Sequence, residues 1–251
     1  MSVSALLLSD SRFPAGGHAH SGGVEPAVTA GTVTDLASLE AFLRGRMRTA
    51  GLVAAGIAAA ACARSAGERH SRDGKPGPGN WDQRLVPHDG FDFWGELDAE
   101  ADARTPSPAQ RAASRRQGRA LLRAARVAWP DDRGLGGLSD FAAGSGAGGA
   151  HHAVVLGAAA AAAGCDAAEA ARIAAYQSVA GPASGAVRLL ALDPMQASAV
   201  LARLAGDVGR IAERAAAAAD GPLAELPCPS APALDLLAEA HLRAEVRLFE
   251  S

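Results

Sequence analysis

Aromatic side chains make up only 4% of this sequence. A core so short of rings must be filled by aliphatic groups, and most of those here are alanine, so close-packed backbones are expected. Cysteine is equally sparse. Cys62, Cys165 and Cys228 are far apart and form no C-x-x-C pair. An odd, scattered set of thiols fits a reducing compartment rather than a disulfide framework. Strand signals are nearly missing, since no segment alternates β-branched or aromatic residues with polar ones at period two. The apolar runs "GLVAAGIAAAACA" and "AVVLGAAAAAAGC" are shorter than the ~20 residues a membrane span needs. The start, "MSVSALLLSD", lacks the basic residues and long apolar stretch of a signal peptide. A cytoplasmic protein without membrane association is the expectation. Excess positive charge is absent too. A formal net charge of −3 and a pI near 6.2 argue against wholesale nucleic-acid binding.

Catalytic signatures are missing as well. There is no GxxxxGK[ST], so the chain should not hydrolyse a nucleotide itself. There is no GxSxG elbow and no HExxH. No catalytic residue is assigned, no cofactor is expected, and a non-enzymatic protein follows.

What the sequence does contain is helix. Its 251 residues suffice for one large domain over 1–251. The pattern predicts an all-α, single-domain bundle of roughly eight to ten helices. Thr34 is placed to cap a helix carrying Leu36, Leu39, Leu43 and Met47 on one face, continuing toward Cys62. Residues 66–90, rich in glycine, proline and charge, read as a mobile surface loop. Ser107, Pro108 and Gln110 form a capping box ahead of a helix that stops at Trp129, before Pro130. On that helix Ala113, Leu121, Ala124 and Val127 share the inner side. Arg111, Arg115, Arg116, Arg119, Arg123 and Arg126 share the other. The arginine stripe is either a solvated face or a dock for an acidic partner; Glu96, Asp98, Glu100 and Asp102 upstream favour the first. "RGLGGLSDFAAGSGAGGAHH" reads as a glycine-rich connection leading to a helix from about His151 to Ala163. Asp166 is placed to cap the next helix, with a kink or break at Gly181-Pro182. Further helices start near Pro194 and Pro232.

The densest local signal is "SDSRFPAGGHAHSGGVE", Ser9 to Glu25. A metal site here would rest on His18 and His20, which fall short of the three or four ligands zinc requires. His151 and His152, adjacent on a helix start, point about 100° apart and rarely chelate one ion together. A structural or docking loop remains. Paired glycines supply positive φ, Ser21 is placed to cap the following helix, and Glu25 in its first turns suits the helix dipole.

The stretch "LLLSDSRFPAGGHAHSGGVEPAVTAG" resembles the N-terminal motif of the UreF family of urease accessory proteins. "ASRRQGRALLRA", "HHAVVLGAAAAAAG" and the ending "HLRAEVRLFES" are similar to the family in the same order. His18 stands where the family usually has an aromatic residue. "RLLALDPMQ" replaces a more usual R-x-x-P-L-G-Q, and 66–90 looks like an insertion. The resemblance implies an all-α homodimer that bridges UreD (also called UreH) and the GTPase UreG while nickel is delivered to the urease apoprotein. It implies contact residues at Ser11, Phe13, His20 and Glu25, with Phe13 alternatively a core anchor. Arg188 is implied to touch the GTPase, or else to make a structural salt bridge. The tail 241–251, with Arg247, Leu248 and Phe249, is expected to order on UreD. The alternative is a nickel-binding metallochaperone using His18 and His20.

Overall fold

The computed structural model describes residues 3–10, 12–14, 20–72, 90–245 and 247–249. Among them there are α-helices, one π-turn and one 3-10 turn, and no β-strand. In chain order the α-helices are α1 (Val3–Ser9), α2 (Val24–Thr29), α3 (Leu36–Arg46) and α4 (Leu52–Arg72). They continue with α5 (Gly90–Ala103), α6 (Pro108–Ala128), α7 (Arg133–Gly144) and α8 (His152–Ala162). The last three are α9 (Ala167–Leu190), α10 (Pro194–Ala216) and α11 (Pro232–Leu242). The π-turn Met47–Gly51 joins α3 to α4 in one rod, which leaves 10 separate helices. The all-α expectation is met.

Helix α4 lies at the centre, packed against α8, α9 and α10. Residues Ala153 to Ala161 of α8 are buried on every side, as an all-round apolar helix requires. At Gly157 an added Cβ would lie 2.3 Å from the Ala58 carbonyl oxygen and 2.5 Å from Ala61 Cβ. The two central helices therefore meet backbone to backbone, which is how a core poor in rings reaches native density. The joined rod also corrects one expectation. Leu36–Ala66 is long and apolar enough to cross a membrane, but 67% of its most apolar window is buried inside the bundle.

Several helix ends follow the sequence. Ser107 accepts the Gln110 amide with Pro108 at N1, and Asp166 and Asp193 cap α9 and α10. Others differ. The α3 cap is Asp35, not Thr34: Asp35 accepts the Ser38 amide at 2.8 Å and Ser38 Oγ accepts the Asp35 amide at 3.0 Å. The α2 N-cap is Gly23, not Ser21. The expected connection at 133–144 is helix α7. Asp132 caps it, and burial of Leu135, Leu138 and Phe141 outweighs its glycines. Helix occupies both ends of the loop expected at 66–90: α4 runs to Arg72 and α5 begins at Gly90, while 73–89 lie outside the described residues.

Helix α9 does not break at Pro182. A proline there removes the N–H that would bond the carbonyl four residues earlier, that of Ser178. Arg46 supplies the missing donor: its Nε donates to the Ser178 oxygen at 3.1 Å. A side chain from α3 thus repairs a helix far away in sequence, and in doing so is drawn into the interior.

Candidate docking site and the neighbouring cavity

The N-terminal motif and the C-terminal tail meet on one face. Glu25, in the first turn of α2, is buried beneath the tail. Its Oε1 accepts the Leu248 amide at 2.7 Å and its Oε2 accepts the Phe249 amide at 2.9 Å. One carboxylate therefore clamps two successive backbone N–H groups, a strong charge-assisted arrangement. His241, buried at the end of α11, donates from Nε2 to the Phe249 carbonyl at 3.2 Å and lies 3.4 Å from Glu25 Oε2. The Arg188 guanidinium sits 4.3 Å from the Phe249 ring centroid, within cation–π range.

Four residues expected from the sequence thus converge: Glu25, Arg188, Leu248 and Phe249. The manner differs from expectation. Phe249 is 7% exposed and packs on its own chain. Leu248 is 72% exposed and Arg247 is exposed, so these two face outward. Phe13 rests on Trp129 with ring centroids 6.2 Å apart and packs against the core, the anchor role. Ser11 and His18 lie outside the described residues. His20 lies on the wall of a cavity.

That cavity, about 250 Å³, lies between the N-terminal motif, α3, α6, the start of α8 and α11. Its walls include His20, Gly22, Arg46, His152, Cys228 and Asp235. Gly22 has φ of +58°, and a Cβ there would press on Pro182 at 2.8 Å and on the Arg46 guanidinium at 3.2 Å. Only glycine fits this turn without pushing Arg46 aside. Burial draws the Arg46 pKa down to about 10, which leaves it cationic at neutral pH. Burial, helped by repulsion from His20, draws His152 down to about 4, so its imidazole is neutral.

A closed ionic network stands behind the cavity wall. Arg115 bridges Asp98 and Asp102 at 2.7 Å each and donates to the Gly149 carbonyl at 2.5 Å. Asp98 accepts the His151 amide at 2.8 Å. The His151 ring joins Asp102 through Nε2 at 2.8 Å and Ser114 through Nδ1 at 3.0 Å. Desolvation lowers the His151 pKa against the pull of both aspartates. Burial works to raise the Asp102 pKa, but His151 and Arg115 hold it below the usual range. Arg115 is therefore not part of a solvated stripe. Arg111 lies 3.7 Å from Asp102, and Arg119 donates to the Gly148 carbonyl. Val127, read as inward, is 83% exposed.

Asp98, Asp102 and His151 form the one group of converging metal-type donors among the described residues. Arg115 already supplies the cation there, and no expected ligand, neither His18 nor His20, belongs to it. Sequence reading missed His241, Arg46 and the role of His152. The signal for Arg46 was indirect: a proline inside an uninterrupted helix implies a donor from elsewhere.

Residues 33–205 match the family model described as UreF. The chain is 44% identical over 248 residues to the urease accessory protein UreF of Mycolicibacterium vanbaalenii, spanning 98% of this chain and 97% of that one. It is 43% identical over 251 residues to that of Mycobacterium sp. strain JLS, again with 98% and 97% covered. For Mycobacterium marinum the figures are 42% over 250 residues, with the same coverage. The chain belongs to the UreF family. It is a non-catalytic urease accessory protein. The UreF match begins at Val33 and ends at Ala205, so Glu25 and the tail flank it. The matches to the UreF relatives cover 98% of the chain.

Proposed function

We propose that this chain is the adaptor of a UreD–UreF–UreG complex that assembles the nickel metallocentre of urease, and that it modulates GTP hydrolysis by UreG. In this reading it works in the cytoplasm as a homodimer, with the urease apoprotein as the final recipient. The observation that carries the reading is the Glu25 clamp. It fixes the C-terminal tail against the N-terminal motif and leaves Leu248 and Arg247 turned outward. A buried anchor, an exposed apolar group and a cation at one edge are the ingredients of an interface hot spot. UreD is the occupant assigned to this edge. Arg188, held under Phe249, positions the tail; Ser11 and His20 remain candidate contacts from the same motif.

The test is co-expression with UreD and UreG of a chain that ends at Leu242, where α11 stops. Loss of UreD capture is expected with an unchanged far-UV circular dichroism spectrum. Normal capture by the shortened chain would remove the tail from the interface. GTP turnover by UreG, with and without this chain, tests the second half: equal rates would overturn modulation.

A further inference from the structure

Two polar groups on the cavity wall are left incompletely satisfied. Arg46 uses Nε on the Ser178 carbonyl, and no carboxylate pairs with it among the described residues. Every described buried side-chain nitrogen that is cut off from solvent has a hydrogen-bond partner. The Arg46 Nη groups must therefore reach open space, and the space that Arg46 lines is the cavity. His152 is in the same position. Its backbone amide donates to Ser114 at 3.1 Å, while its ring nitrogens make no hydrogen bond among the described residues.

Repairing the Ser178 carbonyl takes an N–H, not a charge. A guanidinium that burial has partly stripped of water, with no counter-ion beside it, is unfavourable. Something negative is the natural complement. The α8 N-terminus, at His152, adds the positive end of a helix dipole to the same wall. The other charged groups on the wall do not supply the anion. Arg104 is occupied by Glu100 and by the carbonyls of Leu223, Leu226 and Pro227. Asp235 faces the cavity and makes no ion pair with Arg46. A metal fits less well, because His20, His152 and Cys228 do not converge as a ligand set.

We propose that the cavity is an anion site, in which an anionic oxygen group accepts hydrogen bonds from the Arg46 Nη groups and the His152 ring N–H. Its volume, about 250 Å³, accommodates a free oxyanion or one carboxylate side chain from a bound protein. The site does not depend on the adaptor reading, and it is tested on the isolated chain.

The measurement is a nuclear magnetic resonance titration of the labelled full-length chain with inorganic phosphate and, separately, acetate, at constant ionic strength set by chloride. Saturable shifts of the His152 ring and Arg46 Nε–H signals are expected. Tighter binding of phosphate marks a free oxyanion; tighter binding of acetate marks a carboxylate. Arg46→Gln, which keeps an N–H but removes the charge, should weaken the better ligand at least tenfold. Should that variant fail to fold, Arg46→Lys keeps the charge but loses the forked donors and should weaken it several-fold. No saturable shift with either anion overturns the proposal, as does unaltered affinity in the charge-removing variant.

Discussion

His151 and His152 are neighbours in sequence and opposites in surroundings. His151 is 2% exposed and sits inside a closed set of hydrogen bonds with Asp98, Asp102, Ser114 and Arg115. His152 looks into a cavity with an unmatched ring, beside an unmatched arginine. His151 is the extended N-cap of α8 and His152 its first helical residue, and the change of backbone between them parts the two rings. One side is a charge-balanced brace that ties α5, α6 and α8 together. The other has donors that reach no acceptor among the described residues. The contrast separates polar groups that hold the fold from polar groups left over after the fold is made.

The largest expected effect comes from breaking the brace. In Asp98→Ala, Arg115 keeps only the partly exposed Asp102, and the buried His151 amide loses its acceptor. Losing the more buried carboxylate of this bridge together with the acceptor of a buried amide costs about 3–5 kcal/mol. Urea unfolding should show a lower midpoint with an unchanged slope. A loss under 1 kcal/mol would mean that the brace is not what holds these three helices.

The next effect is a pH dependence on the cavity side. His152 has a folded pKa of about 4 against 6.5 for the free side chain. Between those values the unfolded chain binds more protons, so stability is fully present above pH 6.5 and falls as pH drops toward 4. The contribution is on the order of 3 kcal/mol. His151, also lowered by desolvation, acts in the same direction. In His152→Gln the fall in stability between pH 6.5 and 4 should shrink by more than half. An unchanged slope would mean that His152 is as well solvated folded as unfolded.

Much of this was visible in the sequence. Helix caps at Ser107 and Asp166, and the helix start at Pro194, were legible because capping is a local matter of three or four residues. The N-terminal motif pointed to Glu25, the turn at "RLLALDPMQ" to Arg188 and the RLF ending to Phe249. That the tail lies on its own domain was not legible, since Glu25 and Phe249 are 224 residues apart. Nothing local says which amides a buried carboxylate will hold. Helix α7 was misread because its glycines speak for a loop, while the packing of Leu138 and Phe141 speaks only once the fold exists. The arginine stripe on α6 was misread for a related reason. Periodicity places Arg115 on the outer side, and only tertiary structure shows that α5 covers that side with two aspartates.

The smallest effect is the most discriminating, because it compares two arginines in one molecule. Arg115 and Arg46 are both drawn into the interior, one to two carboxylates and the other to a single carbonyl. If Arg46 is a leftover cation, replacing it with a neutral donor loses little: the Ser178 carbonyl is worth about 1 kcal/mol of hydrogen bond. Relief of the desolvated charge offsets that loss. Arg46→Gln should therefore unfold within about 1 kcal/mol of the parent in anion-free buffer. The parent alone should gain stability when phosphate or acetate is added, by linkage to binding of the folded state. A loss in anion-free buffer as large as that of Asp98→Ala would put Arg46 in the same class as Arg115, a brace whose charge the fold requires. In that case the cation at the cavity would serve the fold itself and not a bound anion.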